Sequence, residues 1–514
     1  MKKLFVFFVL ILSSSAYAQI PEPAMLWLKS YGGNSNIASL VTPQLDGGFI
    51  ICLGAGTSSG NIDSFCSLTG IRSIFLEFNS DASILDWTKC YEQNDSSFSC
   101  MFSTIDGDYV LGGLSNGTTY EFLIHKETAT GIVLWSKTYG DSASAILKSM
   151  IATNDGGYIM CGQTSYTNSD FPVHYGSWMD EDIAVIKVDS NGNKVWSEVI
   201  GGTLGINFSS LVAGPENGCY IVGTTFSDDY DCIGNHGGDD VYLVRLDGNG
   251  NILWHDDIGG SGGDQGNCAV ADGKGGVIIA GASNSLNGDR TVFPSFGCPI
   301  WALEVDSNEH ILWDNCYGGG GNDCWPNAIC KATDGSIWIA GVSSTQGAEV
   351  DTNYGLDDAW FVHTDDTGNL LNTKVLGSSS DDAGMMVYPL SNSNVIAGGF
   401  SGANDGSFSY IPWNGYMNSF LTIFEPHSTK VTTISMLNNS IKFYPNPTNE
   451  QVTIESGQKG NYEVVITDLL GMNMFKSNFH DELQIQVKGW QAGIYFVQVI
   501  SESGYQEIQK LIVQ

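Results

Sequence analysis

Positive charge is scarce in this sequence: 21 lysines and arginines stand against 56 aspartates and glutamates, a formal net charge of −35. That balance opposes any role that depends on neutralising phosphates, so nucleic acid is excluded as a partner. The only arginines are Arg72, Arg245 and Arg290, too few to form the cluster that grips a substrate carboxylate. Arg245 falls in a strand slot filled elsewhere by Lys187 and Glu304, and reads as a surface position. The eight histidines form no HExxH pair, no GxSxG elbow occurs, and no pair of loop carboxylates stands out for acid–base hydrolysis. Helical periodicity is almost absent. Beyond the first residues no apolar run is long enough to span a bilayer, so the mature chain has no transmembrane segment.

The first residues are different. Lys2 and Lys3 precede an apolar run from Leu4 to Leu12, and Ala16-Tyr17-Ala18 has the small-x-small form of a signal peptidase site. Residues 1–18 therefore read as a signal peptide and Gln19 as the mature start. No cysteine follows the site, which opposes a lipid anchor. The acidic excess reads first as a solvated, aggregation-resistant surface, with bound calcium as the other reading.

The twelve cysteines suit an oxidising compartment. Cys52 and Cys161 share an offset with Ala280, Ala340 and Ala397, and are expected to be small core residues with free thiols. Cys90 and Cys316 share the position three residues after a recurring tryptophan, with Cys100, Cys324 and Cys330 just downstream. Those, together with Cys219 and Cys232, are the expected disulfide partners.

What the chain has in abundance is repetition. The stretch from Asp182 to Gly202 reads as a β-hairpin: apolar runs flank the turn Asp189 to Asn193, in which Gly192 takes positive φ. Aligning the tryptophan that opens its second strand gives Trp27, Trp87, Trp135, Trp196, Trp254 and Trp313, with Asn372 in the seventh place, at steps of 48 to 61 residues. Each period carries four β-like runs, and the pattern predicts an all-β fold, a seven-bladed β-propeller of four-stranded blades. The chain enters with a lone fourth-strand sequence, Met25 to Tyr31, and the seventh period ends after its third strand, Asn418 to Phe424. Closing the ring by pairing the two leaves no open sheet edge. The recurring tryptophan is read as packing between sheets rather than as a sugar platform.

On these elements the periods resemble bacterial β-propeller repeats with a YLGG-type fourth strand, an acidic Gly-rich link and a TSxxDFP-like loop. The matching residues are Ile258 to Asp264 and Thr164-Ser165 to Asp170-Phe171-Pro172. The Asp-Ser-Asn-Gly-Asn turns also resemble part of the sialidase Asp-box, where the aspartate is read as holding the turn.

After a polar linker, residues 425–440, the style of the sequence changes. Residues 441–514 carry alternating runs that read as an Ig-like β-sandwich. Tyr444-Pro445-Asn446-Pro447, Asp468-Leu469-Leu470-Gly471, Gly493-Ile494-Tyr495 and the closing Lys510 to Val513 closely resemble the C-terminal sorting domain of the type IX secretion system. The resemblance implies the type IX machinery as a partner and carriage of residues 19–424 through the periplasm to the outer-membrane cell surface or the medium.

Function on such a scaffold belongs to the long loops between second and third strands. They are acidic and aromatic: Tyr175, Trp178, Tyr230, His236, Tyr354, Trp413 and Tyr416 are the candidate ligand-binding residues, and Asp228, Asp229 and Asp231 the candidate calcium ligands. Carboxylates beside aromatics suit a glycan, a protein or calcium as ligand. Asp182, Asp240 and Asp358 recur just before the third strand, which favours a structural cap. Two functions follow: a non-catalytic binding protein, or a polysaccharide-active hydrolase or lyase using loop carboxylates.

Overall fold

The structure, a computed structural model, describes residues 24–31, 37–43, 48–55, 72–78, 85–92, 96–104, 106–116, 120–140, 145–177, 180–292, 298–318, 324–344, 349–350, 352–390, 393–409, 418–425, 442–455, 460–467, 473–491, 493–501 and 506–513. The signal-like start, residues 426–440 of the linker, Trp178, Trp413 and Tyr416 lie outside the described residues, and Glu425 ends a strand. The chain divides into two compact units, Met1–His427 and Ser428–Gln514.

The first unit is all-β and β-propeller-like. Among the described residues it holds seven four-stranded antiparallel sheets. The third sheet is typical, with strands Ala145–Ala152, Tyr158–Thr164, Asp182–Val188 and Lys194–Ile200 in sequence order. In the seventh, Asp382–Pro389, Val395–Ser401 and Asn418–Glu425 are joined by the N-terminal strand Ala24–Tyr31, whose register runs from Ala24 against Glu425 to Tyr31 against Ser419. Each pair of successive sheets shares a cluster of buried apolar side chains. The series closes where Phe49, Ile51 and Ile74 of the first sheet meet Met386, Ile396 and Leu421 of the seventh.

The recurring tryptophans take part in this packing. An added Cβ at Gly192, Gly250 or Gly368 would come within 2.9, 2.8 and 2.6 Å of the rings of Trp135, Trp196 and Trp313. Each ring thus lies on the third-to-fourth-strand turn of the next sheet, and those glycines hold positive φ. The turn aspartates are fully engaged locally: Asp189 Oδ1 accepts the N–H of Asn191 and of Asn193, and Asp247, Asp306 and Asp365 repeat the pattern.

Two expectations fail here. The slot of Arg245 is no surface position: Lys187 and Glu304 are buried, and Arg245 donates from Nη1 to the Ser307 carbonyl at 2.6 Å, because the slot faces the next sheet. The cysteine pairing also differs. Cys90 and Cys316 each belong to a disulfide, whereas Cys100, Cys219, Cys232 and Cys324 are thiols outside any disulfide, as are Cys161, Cys268 and Cys330. The free thiols lie buried among apolar neighbours, where burial pushes Cys219 and Cys232 up to about 12.

The second unit is one seven-stranded sheet in hydrogen-bonding terms. Its two parts, Lys442–Tyr444, Gln451–Glu455 and Glu482–Gln486 on one side and Asn461–Thr467, Asn473–His480, Gly493–Ser501 and Gln506–Val513 on the other, are joined by a single residue pair, His480 with Glu482. Val452, Ile454 and Ile485 from the first part and Val464, Ile466, Val497, Val499 and Leu511 from the second share one core.

Candidate functional site

The long loops are built on three fixtures that recur from sheet to sheet. The first is the aspartate opening the third strand, buried as Asp182, Asp240 and Asp358. Asp182 Oδ2 accepts the Tyr175 N–H at 2.7 Å, Asp240 Oδ2 that of His236 at 2.5 Å, and Asp358 Oδ2 that of Tyr354 at 2.7 Å. The other oxygen of each has no hydrogen-bond partner. It abuts the glycine linking one sheet to the next, Gly201, Gly259 or Gly377, where any Cβ would collide with it. Burial raises Asp182 and Asp358 to about 6, and raises Asp240 as well.

The second fixture runs between sheets. The N–H of the link glycine donates to an oxygen in the next sheet's long loop, 30 or 31 residues on: Gly140 to Asp170 at 3.0 Å, Gly201 to Asp231 at 3.3 Å, Gly259 to Asp289 at 3.0 Å, Gly318 to Glu349 at 2.6 Å and Gly377 to Ser407 at 3.2 Å. The third ties the link again, 26 residues on: Thr203 N–H to Asp229, Ser261 N–H to Asn287 and Ser379 N–H to Asp405.

These fixtures reassign the candidate calcium ligands. Asp229 binds the Thr203 N–H and hydroxyl, both at 2.8 Å; Asp231 holds Gly201; Asp228 accepts the Gly234 N–H at 3.1 Å. Each carboxylate faces backbone, and among the described residues no group of three potential ligands is placed to hold a metal ion.

The aromatic candidates divide. Tyr175, His236 and Tyr354 occupy one equivalent position in three different sheets and are not brought together. Tyr230 does meet Tyr175, with ring centroids 4.9 Å apart and planes tilted by 44°. Tyr230 is 59% exposed and sits at φ 51°. Beneath it, burial and then the charge of Asp231 push the Tyr175 phenol up to about 12.

Two features escaped the sequence reading. Asp257, 1% exposed, lies in the fourth strand where the neighbouring sheets have Val199 and Cys316. Neither carboxylate oxygen has a hydrogen-bond partner, and burial followed by Asp240 and Asp256 raises it to about 7. Its departure from the repeat was the available signal. On the opposite, short-turn face, a cavity of about 470 Å³ is lined by Asp155, Lys187, Asp189, Glu216 and Asp247. Lys187 Nζ there is held by Asp155 Oδ2 at 2.6 Å.

In the second unit the candidate sorting residues have local tasks. The Tyr444 hydroxyl donates to Glu455 at 3.0 Å, and Asn446 Oδ1 accepts the Ile512 N–H at 2.9 Å. Thr448, just past Pro447, bridges in parallel to Val513. Gly493 opens the strand containing Tyr495, which is buried against Trp490 and donates to the Gln491 carbonyl at 2.8 Å. The YPNP turn thereby fastens the first strand of the unit to the last.

Comparison with known proteins gives one local assignment and several distant likenesses. Residues 442–514 match the secretion system C-terminal sorting domain. A stretch of 160 residues is 26% identical to an endo-acting ulvan lyase of Formosa agariphila, spanning 31% of this chain and 28% of the lyase's own length. Among solved structures, YCF48 bound to D1 peptide has 9% identity and a TM-score of 0.43, covering 80% of this chain and all of that one. The extracellular domain of a hybrid two-component system from B. thetaiotaomicron has 11% identity and a TM-score of 0.37, covering 94% of this chain and 55% of that one. No helix among the described residues is long and apolar enough to cross a membrane. Residues 442–514 are a sorting domain, and the chain that carries them is exported by type IX secretion to the cell surface or the extracellular space.

Proposed function

We propose that this is an exported, non-catalytic glycan-binding protein. In this reading residues 1–18 are a signal peptide, 19–424 a seven-bladed β-propeller closed by its N-terminal strand, 425–440 a linker and 441–514 an Ig-like sorting sandwich. Ligand is bound on the long-loop face, with Tyr175, Tyr230, His236, Tyr354, Trp178, Trp413 and Tyr416 as its aromatic complement.

The observation that carries the non-catalytic reading is the use made of the loop carboxylates. Asp170, Asp229, Asp231, Asp289 and Glu349 all accept link N–H groups, so removing one for chemistry would loosen the joint between two sheets. Aromatic faces such as Tyr230 stay open on the same loops. The second reading, a polysaccharide-active hydrolase or lyase, is favoured by the partial likeness to the ulvan lyase. Incubating the purified chain with a panel of polysaccharides, scoring retention and chain cleavage together, separates the two. Retention without new reducing ends or unsaturated products is expected; cleavage by the purified chain would sink the non-catalytic reading.

A further inference from the structure

We propose that Tyr230 is a specificity residue: with Tyr175 it forms a stacking platform for a neutral or amino sugar ring, and its surroundings reject uronic and sulfated sugars. This rests on the glycan-binding reading above and assigns that reading a place and a ligand class.

The argument begins with the repeat. The link N–H of Gly201, Gly259 or Gly377 is received by Asp231, Asp289 or Ser407, and each receiver returns its own N–H to the same glycine's carbonyl, at 3.2, 3.0 and 2.9 Å. The residues just before these receivers are therefore equivalent: Tyr230, Gly288 and Gly406. All three have left-handed backbone, at φ 51°, 84° and 55°. Glycine is the residue this conformation favours, and a side chain there carries strain. At Gly288 and Gly406 an added Cβ would collide with the carbonyls of Gly259 and Gly377. Tyr230 places a real Cβ at that point, and its two link bonds, 3.2 and 3.3 Å, are the longest pair of the three.

A tyrosine that strains its own anchor is not there for the frame, because the frame uses glycine at the same point in two other sheets. Its ring is not core either, being 59% exposed. Strain held at an exposed side chain is characteristic of binding sites, where the strained group serves a ligand. The ring rests on Tyr175, which is fixed by its backbone bond to Asp182. A supported aromatic face beside carboxylates suits the apolar face of a pyranose whose hydroxyls donate outward.

Charge then selects among sugars. Asp228, Asp229 and Asp231 flank Tyr230 in its loop, and the exposed Glu198 lies near enough to Asp231 to interact with its charge. Arg245 is committed to a carbonyl in the next sheet, and Arg290 to Ser283 Oγ and the Ser285 carbonyl. An anionic sugar would meet like charge here.

The test titrates the purified full chain calorimetrically with three probes: cellohexaose, chitohexaose, and oligogalacturonate of similar length. The neutral or amino hexasaccharide is expected to bind more tightly than oligogalacturonate. Tyr230→Gly should weaken that binding about tenfold or more while leaving the unfolding temperature essentially unchanged, since relief of the strained backbone offsets the lost ring contact. Tyr230→Phe should retain binding, and Asn191→Ala in a short turn should not alter it. Unaltered affinity in Tyr230→Gly, tighter binding of oligogalacturonate, or a large fall in unfolding temperature in Tyr230→Gly would overturn the inference and leave the glycan reading standing. Absence of binding to all three probes by the unaltered chain would overturn both.

Discussion

At the scale of single residues, the buried aspartates set the pH response. Asp182, Asp358 and Asp382 are raised to about 6 and Asp257 to about 7, in each case first by burial. Unfolding returns them to the ordinary carboxylate value near 4. Between those limits the folded chain binds more protons than the unfolded one, so stability is greatest near the lower limit and falls as pH rises through about 6 to 7. Thermal melts should therefore show a lower midpoint at pH 8 than at pH 5. Asp257→Asn, which keeps the shape and removes the charge, should melt higher than the unaltered chain at pH 8, and the gap should shrink markedly at pH 5. An equal difference at both pH values would mean that Asp257 ionisation is not responsible. A second residue-scale prediction concerns the link. Gly201→Ala forces a Cβ into Asp182 Oδ1 and should destabilise by about 1–3 kcal/mol, read from urea unfolding.

The strand is the next scale, and Ala24–Tyr31 is its clearest case. It covers the free edge of Asn418–Glu425 along its length, so deleting residues 25–31 exposes a row of unpaired backbone groups and unsupported apolar surface. A fall of several kcal/mol in stability and a greater tendency to aggregate are expected; an unchanged unfolding midpoint would argue against closure by this strand. Elements of this kind were legible in the sequence because their signals are local. Asp189 to Asn193 announces its turn within five residues, and the tryptophan spacing announces the repeat. The link fixtures were not legible. Asp231 and Gly201 are 30 residues apart and meet only because successive sheets are neighbours. In isolation Asp228, Asp229 and Asp231 look like a cation-binding run. The thiols obey the same limit: in the sequence Cys219 and Cys232 look like disulfide partners, and nothing local shows that both point into apolar packing.

For the whole molecule, the C-terminal unit decides its destination. Removing residues 442–514 deletes the sorting domain and should leave the chain in the periplasm, as cell fractionation and immunoblotting would show; undiminished appearance on the surface or in the medium would contradict that role. In the body it delivers, an anchor and a cap bracket the long loops of the third, fourth and sixth sheets, and the bracket fixes where those loops are able to change. From anchor to cap the distance is nine residues for Asp231 to Asp240 and for Glu349 to Asp358, but twelve for Asp170 to Asp182. The third sheet has lengthened its loop inside the bracket and kept both ends, and the longer loop is the one that carries Trp178. New recognition chemistry is therefore gained by extending the middle of a loop, with no renegotiation between neighbouring sheets.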